Sequence, residues 1–430
     1  MRSFLWIFEM IASTDIKLYV HTNNNTPQLQ NAYGSIINVL DACLVNGINI
    51  GAISSLTASG TTVTALFSSA HKLMQYQVIK IVGAVQDEFN GEHRILTVPN
   101  SNEVTFEIAT APSVATATGV LEASLPPLEW EKPFSSVNVN GGGKAAYRST
   151  NLLLPSRPFL RVVDELDPAY TATYAKYAKV GIVEDMTDID TMLGVQAPYD
   201  AALPNKNWSG TGSGSSAYNG WAKWYYASSI LAGQSSDSSA PSNGNRDWIC
   251  VGNKDYFYIF PAAIPNGKHY SNYGFGAFES LLNLDVANWF LSASTSYSAA
   301  GTDIFRADNT GLGSTNSAGR TILLRDHKQD LPTHARTYSL HAVASGEIYS
   351  GYLDYIAAKS ISGVVPIFPI FLRENNGVIR GQVPNFYWVL QEKPHVNLKI
   401  LEKNNSAFMA INSVVGTAEN QIVVKIGDLS

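Results

Sequence analysis

The sequence has few charges and very few cysteines. Charged residues are 15% of the 430, against roughly 25% in an average globular chain. No run of Lys or Arg occurs and the net charge is −6, which argues against nucleic-acid binding through a basic patch. The two cysteines, Cys43 and Cys250, are too few for a disulfide framework and lack metal-ligand spacing. Each is predicted to be a buried free thiol, which fits synthesis in a reducing compartment.

Long hydrophobic runs are also absent. No segment approaches the roughly 18 apolar residues of a membrane-spanning helix. At the N-terminus, Arg2 precedes an apolar run over residues 4–8 that Glu9 interrupts before it reaches the length of a signal peptide. Neither secretion nor a membrane span is therefore expected. Met10 is an alternative start, because a first strand is predicted over residues 15–20.

Motifs that carry chemistry are missing. The Gly-Gly-Gly-Lys run at residues 141–144 lacks the first Gly and the Ser or Thr of a phosphate loop, so it is interpreted as a turn. No Gly-x-Ser-x-Gly elbow, His-Glu-x-x-His motif or paired-cysteine site occurs. The sequence therefore predicts no catalytic residue, no cofactor and no metal, and the protein is not expected to be an enzyme.

Two clusters of titratable residues leave an alternative open. The first could bind Ca²⁺ through oxygen ligands but lacks the Gly and distal Glu of an EF-hand loop; its members are Glu184, Asp185, Asp188 and Asp190. The second could form a metal site or an acid–base pair; its members are Asp326, His327, Asp330 and His334. The preferred interpretations are a solvated acidic turn and a surface loop, because Leu331-Pro332 interrupts any helix face shared by the second cluster.

The residues that are abundant point to β structure. Ser, Thr, Asn and Gly supply most of the polarity, which suits strand faces and tight turns better than helix surfaces. The chain is predicted to be mainly β, with a β-sandwich- or barrel-like body, few short helices and an inserted small β-barrel-like module. The clearest helix is predicted over residues 35–46, with Ser35 as its cap and Gly47 after its end. A second short helix is predicted over residues 278–288.

Turn signals divide the chain into three parts. Residues 55–123 contain a complete set of short strands and hairpin turns, which predicts an inserted module between a first body segment, residues 1–54, and the rest of the body, residues 124–430. Gly/Ser-rich loops are expected at 205–247 and 292–319. The candidate contact residues in the first loop are Trp221, Trp224, Tyr225 and Tyr226. The alternative, packing of these aromatic side chains onto the body, is the preferred interpretation.

The inserted segment resembles a known module. Its runs TVTALFSSAHKL, YQVIKIVGA and EFNGEHRILTVPNSNEVTFEI are similar to a small β module that is inserted repeatedly in bacteriophage virion proteins and is related to the β-domain of ubiquitin-activating enzymes. That module has His-Gly-Leu where this chain has His71-Lys72-Leu73. The resemblance implies an accessory domain of a virion protein and no chemistry.

The body resembles a family as well. The runs GSIINVLDACLVNG, WEKPF, AAYRS, FLRVVDE, VGIVEDMTDIDT, WICVGNKDYFYIF and GVIRGQVPNFYWVL are similar to a family of structural virion proteins from the tail or baseplate region of bacteriophages. The resemblance implies a structural subunit of a symmetric assembly, synthesised in the host bacterial cytoplasm and located in the virion. Its partners would be copies of itself and other virion proteins.

Other functions remain as alternatives. One is a receptor- or glycan-binding tail protein that stacks host surface glycans on exposed Trp and Tyr. Another is a head decoration or neck protein. A depolymerising hydrolase is disfavoured, because no carboxylate pair stands out and the repeat periodicity of fibrous β-helical enzymes is missing.

Overall fold

The computed structural model describes residues 11–199, 208, 222–229, 239–294, 312, 321–338, 365, 367–389, 393–415 and 418–429. Over these residues the chain is mainly β, which confirms the predicted fold class. The strands form a large sheet, a second sheet and a closed barrel, and neighbouring strands run antiparallel.

The large sheet contains 13 strands in the described part of the chain. They are β1 (Lys17–Val20), β14 (Trp248–Gly252), β15 (Tyr256–Pro261), β16 (Tyr273–Ala277), β17 (Glu279–Ser280), β18 (Trp289–Ser292), β19 (Thr321–Leu323), β20 (Thr333–Tyr338), β21 (Ile367–Glu374), β22 (Ile379–Val389), β23 (Ile400–Lys403), β24 (Ser406–Val415) and β25 (Ala418–Asp428). The strand order is β1-β14-β15-β16-β18-β19-β20-β21-β22-β25-β24-β23, and β17 pairs with β22.

The second sheet has the order β12-β11-β10-β9-β8, and β13 pairs with β11. Its strands are β8 (Trp130–Val137), β9 (Gly142–Ser149), β10 (Phe159–Glu165), β11 (Lys176–Asp188), β12 (Thr191–Ala197) and β13 (Lys223–Ala227). The chain turns immediately before β9, with a φ of 102° at Gly141. The turn occupies residues 138–141 and takes in only the first glycine of the run, because Gly142, Gly143 and Lys144 already lie in β9. The predicted turn is therefore correct for Gly141 and wrong for the other three residues.

Both faces of the large sheet are buried. On β15, Phe257 and Ile259 belong to one core, whereas Tyr258 and Phe260 belong to another, because successive side chains on a strand point to opposite faces. The first core is shared with the second sheet and the helix. The second core is completed by later strands of the same sheet, for example by Trp388 on β22. This layering gives the sandwich-like body that the sequence predicts.

A helical segment connects the body to the barrel, and a short 3-10 helix, Asp87–Phe89, lies within the barrel. The connecting segment comprises α1 (Ser35–Leu40) and a π-helical continuation over Asp41–Asn46, so its span equals the predicted one. Ser35 is not the N-cap, however; Gly34 occupies that position and has no side-chain cap. The carboxylate of Asp164 on β10 instead accepts the Gly34 N–H at 2.8 Å. A residue distant in sequence thus takes over the role expected of Ser35.

The inserted module is a closed six-stranded barrel, ordered β2-β3-β6-β5-β4-β7. Its strands are β2 (Ile48–Ser59), β3 (Thr62–Phe67), β4 (Val78–Ala84), β5 (Gly91–Asn100), β6 (Glu103–Glu107) and β7 (Gly119–Leu125). The barrel therefore begins earlier and ends later in the sequence than the predicted module, residues 55–123. Register shifts at Asn49/Gly51 and Ile53/Ser55 space the buried Ile50, Ile53 and Leu56 three residues apart. The buried residues of this strand therefore do not alternate with exposed ones, so the strand start cannot be predicted from a two-residue pattern.

A buried arginine attaches the barrel to the body. Arg94 on β5 is 2% exposed, and its guanidinium donates hydrogen bonds to the backbone carbonyls of Ser13, Ile16, Tyr76 and Ile426 at 2.6 to 2.8 Å. Burial lowers the pKa of Arg94 to about 10, so the group remains protonated at neutral pH. One barrel side chain therefore connects the N-terminal segment, a barrel loop and strand β25.

The helix predicted over residues 278–288 does not form. Its first residues form the short strand β17, in which Glu279 pairs with Gln382 of β22. Further along, Asp285 is held by an ion pair with the buried Arg380. Tertiary contacts thus override a local pattern that favours a helix.

Candidate interaction surface

The aromatic residues singled out in the sequence do not form an exposed patch. Trp224, Tyr225 and Tyr226 lie on β13 and are fully buried. The Trp224 Nε1–H donates to the Ser292 carbonyl at 2.9 Å, which joins β13 to the large sheet. These three side chains pack onto the body, which is the interpretation that the sequence favours, and their burial leaves them no exposed surface for a partner. Trp221 lies outside the described residues, as does most of the two Gly/Ser-rich loops.

The carboxylates of the first titratable cluster bind separate partners. Glu184 forms a bidentate pair with Arg325, with oxygen distances of 2.6 and 2.8 Å to Nη2. Asp190 pairs with Lys144 at 2.7 Å. Asp188 accepts two backbone N–H groups of its own turn. In the described part of the chain no three His, Cys, Asp or Glu side chains are grouped so that they could hold a metal ion.

The second cluster is also dispersed. Asp326 accepts backbone N–H groups within its own loop, and His327 Nδ1 lies 2.8 Å from a Glu374 carboxylate oxygen. His334 is half-buried, and desolvation of its ring lowers its pKa to about 4. These side chains fulfil separate structural roles and do not converge on one site.

Exposed aliphatic side chains project from two neighbouring loops at one end of the large sheet. The loops are residues 281–288, between β17 and β18, and residues 324–332, between β19 and β20. They are joined by a hydrogen bond from Gln329 Nε2 to Asp285 Oδ1 at 3.1 Å. We name the exposed residues at their tips the loop-tip surface: Leu281, Leu284, Val286 and Leu331.

A buried ion-pair network holds these loops in place. Arg380 on β22 is fully buried and pairs with Asp285 at 2.7 Å and with Glu374 at 2.8 Å. Its Nη1 also donates to the carbonyl of Arg325 at 2.7 Å. Burial raises the pKa of Asp285, but the hydrogen bonds from Arg380 and Ser280 lower it by a larger amount, so the net shift is downward. Asp285 therefore stays ionised at neutral pH and anchors the first loop.

Arg325 organises the second loop. Its Nη1 donates to the carbonyls of Gln329 and Asp330 at 3.1 and 2.8 Å, while its other nitrogens bind Glu184 on β11. Burial raises the pKa of Glu184, but the hydrogen bonds from Arg325 lower it by more, so the net shift is downward. The second loop is thereby tied to the second sheet as well as to the large one. Both loops are fixed by charged contacts at their base.

Leu284 is the most unusual residue of the loop-tip surface. It is 91% exposed, and its φ of 61° lies in the left-handed region, which is unfavourable for a bulky non-glycine side chain. Neither burial nor backbone preference explains a leucine here. A left-handed backbone at an exposed and bulky residue is an outlier from which a hypothesis of function can start.

A groove adjoins the loop-tip surface. It has a volume of about 550 Å³, and its lining consists of Gly194, Val195, Gln196, Tyr199, Leu331 and Pro332. The lining residues of β12 belong to an edge strand of the second sheet. A third loop, between β9 and β10, is bonded to β18 through Trp289 Nε1 and the Ser156 carbonyl at 3.1 Å, and it exposes Leu152 and Leu153. Exposed apolar side chains therefore also occur on a loop that is bonded to β18.

Sequence reasoning did not identify this surface. Its aliphatic residues stand in the segment predicted to be a helix and in the loop examined for metal ligands. One feature of the sequence could have indicated this surface: Leu281, Leu282, Leu284 and Val286 form a run that is too apolar for a solvated loop.

Comparisons with other proteins add no assignment. Among the described residues, no helix combines the length and the apolar character needed to cross a membrane. No protein-family model matches the sequence, and no curated protein matches it.

Proposed function

We propose that this protein is a structural component of a bacteriophage virion, of the tail or baseplate, that acts through contacts between copies of itself in a symmetric assembly. The observation that carries the contact part of this proposal is the loop-tip surface. Exposed aliphatic groups on loops fixed by Arg325 and Arg380 can be buried against a partner with little further loss of loop entropy.

The virion part of the proposal rests on the resemblance, and one detail of the barrel supports it. Lys72 stands where the resembling module has glycine, and its φ of 52° is a value that glycine adopts without steric cost. In the same turn the His71 Nδ1 accepts the Leu73 N–H at 2.9 Å. The backbone of this turn thus fits a His-Gly-Leu sequence although the central residue differs.

A glycan-binding tail protein is the second candidate. Sugar stacking needs exposed aromatic rings, and the buried tryptophans of the body cannot supply them: Trp130, Trp224, Trp248, Trp289 and Trp388. Tyr199, which is exposed beside the groove next to Gln196, is the observation that favours this candidate. A Tyr199→Ala variant that loses adsorption to host cells while its incorporation into particles is unchanged would support it.

The structural proposal is tested by removing apolar area from the loop tips. In a Leu284→Asn, Leu331→Asn double variant the fold should be retained, because both positions are exposed and Asn tolerates the left-handed conformation at position 284. Burying a leucine at a contact contributes about 2 kcal/mol, so two leucines correspond to roughly a thousandfold in affinity. We expect incorporation into purified particles, measured by mass spectrometry, to fall strongly.

The matched control is Val139→Asn, which alters an even more exposed aliphatic residue in the hairpin between β8 and β9. This variant should be incorporated normally. Equal incorporation of the loop-tip variant and the control would refute the contact. A reconstruction of the particle would test the location, since density for the chain at the head or neck would exclude the tail or baseplate.

A further inference from the structure

The two cysteines of the chain meet in the core, although they are roughly 200 residues apart in sequence, a separation that closes a very long loop. Cys250 lies on β14 opposite Tyr19 of β1. Cys43 lies in the π-helical segment, and its carbonyl accepts the Leu128 N–H at 2.9 Å. Both side chains are fully buried and belong to the same hydrophobic core, where the thiol of Cys43 lies near enough to that of Cys250 to interact with it.

We propose that Cys43 and Cys250 are a disulfide-forming pair that closes when the protein meets a low-molecular-weight disulfide such as glutathione disulfide. The Cys43 thiolate attacks one sulfur of glutathione disulfide, and one glutathione leaves. The Cys250 thiolate then attacks the Cys43 sulfur of the mixed disulfide, and the second glutathione leaves. The two thiol protons end on the two glutathione molecules, so the cysteine pair loses two electrons and one glutathione disulfide gains them.

The position of the pair determines what the bond would do. Cys43 is in the last helical turn before the chain enters the barrel at Ile48, and Cys250 is in a strand of the large sheet. The root of the barrel is closed nearby, where the Tyr19 hydroxyl donates to the Pro126 carbonyl. A disulfide would therefore fasten the entry to the barrel onto the body covalently. Because it closes a long loop, it would also restrict the unfolded chain strongly.

Burial sets the rate of the reaction. Burial and the contact with Cys250 raise the pKa of the Cys43 thiol, so little thiolate is present in the closed state and oxidation should be slow. Its timing rests on the proposed function: a chain made in a reducing cytoplasm would acquire the bond after particle release. The chemistry does not depend on that function, so it can be tested on the purified chain alone.

The test measures free thiols in the full-length protein. The chain is refolded from denaturant, or incubated folded, in glutathione buffers of increasing oxidised fraction, quenched in acid, and treated with N-ethylmaleimide in denaturant. We expect intact mass spectrometry to show two adducts under reducing conditions and none under oxidising conditions, with the mass of an intrachain disulfide. The oxidised protein should unfold at a higher urea concentration than the reduced protein.

Single-cysteine variants supply the control. In Cys43→Ala and Cys250→Ala the remaining thiol should form no intrachain bond, and its unfolding midpoint should not respond to oxidant. The proposal is overturned if the wild-type chain keeps both thiols reactive towards maleimide after refolding in the most oxidising buffer. It is also overturned if each cysteine carries a separate glutathione, or if the disulfide lowers the unfolding midpoint. If the bond forms in vitro but the chain is not a virion component, the proposed function fails and the pair remains.

Discussion

Removing the Arg94 guanidinium should destabilise the chain at the junction of barrel and body. In Arg94→Ala, three buried carbonyls and the partly buried carbonyl of Ser13 lose the donor that reaches them at 2.6 to 2.8 Å. Each buried acceptor left without a partner costs about 1 kcal/mol or more. The expected loss is therefore about 4 kcal/mol, within the range for removing one partner of a buried charged contact. Arg94→Lys should lose about half of this, because an ammonium cannot reproduce the planar fork of donors.

A neighbouring glycine provides an independent check of the same geometry. A Cβ added to Gly427 would overlap the guanidinium of Arg94, which is held by its hydrogen bonds and cannot move aside cheaply. Gly427→Ala should therefore destabilise the wild type by about 1 to 3 kcal/mol. In the Arg94→Ala background the same change should be nearly neutral, because the overlapping group is gone.

The assay is urea unfolding followed by two signals. The barrel contains no tryptophan, so tryptophan fluorescence reports the body, while far-ultraviolet circular dichroism reports both parts. We expect both transitions to move to lower urea in Arg94→Ala. A loss below about 1 kcal/mol, or additive effects of the two substitutions, would show that the arginine does not fasten the barrel to the body.

Two further predictions concern single residues. Burial raises the pKa of Asp164 to about 7 in the folded protein, which is above the value in the unfolded chain. The contribution of this carboxyl group to the free energy of unfolding is therefore complete below about pH 4 and is lost as the pH rises through 7. The loss is roughly 4 kcal/mol at most. The difference in unfolding free energy between wild type and Asp164→Asn should change in that window, and a difference that does not depend on pH would contradict the argument. Lys72→Gly should stabilise the barrel by up to about 1 kcal/mol, because glycine adopts the left-handed conformation of this position without steric cost. The control is Lys80→Gly, in the middle of β4, which should destabilise the barrel. Thermal unfolding measures both variants, and a lower midpoint for Lys72→Gly would contradict the argument.

The sequence was most informative where the chain obeys local rules. The helical span over residues 35–46, the hairpins of the barrel and the burial of Cys43 and Cys250 follow from periodicity, turn residues and residue type. These features depend on neighbours within a few residues, so a single sequence contains the information needed to predict them.

It was least informative where a distant residue decides the outcome. The cap of α1 is the carboxylate of Asp164, more than a hundred residues away. The 281–288 loop replaces a predicted helix because Arg380 binds Asp285. The abundance of aromatics suggested an exposed patch, yet Trp224 lies between two sheets. No local pattern distinguishes a leucine in a helix from Leu284 at a loop tip.

Two regions of this molecule divide polar and apolar groups in opposite ways. At the barrel junction the buried groups are polar: Gln77 and Asn23 exchange side-chain hydrogen bonds at 2.9 and 3.0 Å, and Gln77 also donates to the Leu18 carbonyl at 2.9 Å. Such bonds are directional, so with Arg94 they favour a single orientation of the barrel, whereas apolar contacts would tolerate several. At the loop tips the exposed groups are apolar, and the charges that hold them are buried beneath. Exposed apolar side chains on loops that are held by buried charges are arranged for contact with another molecule, which is why the loop tips, and not the aromatic strand, carry the proposed function.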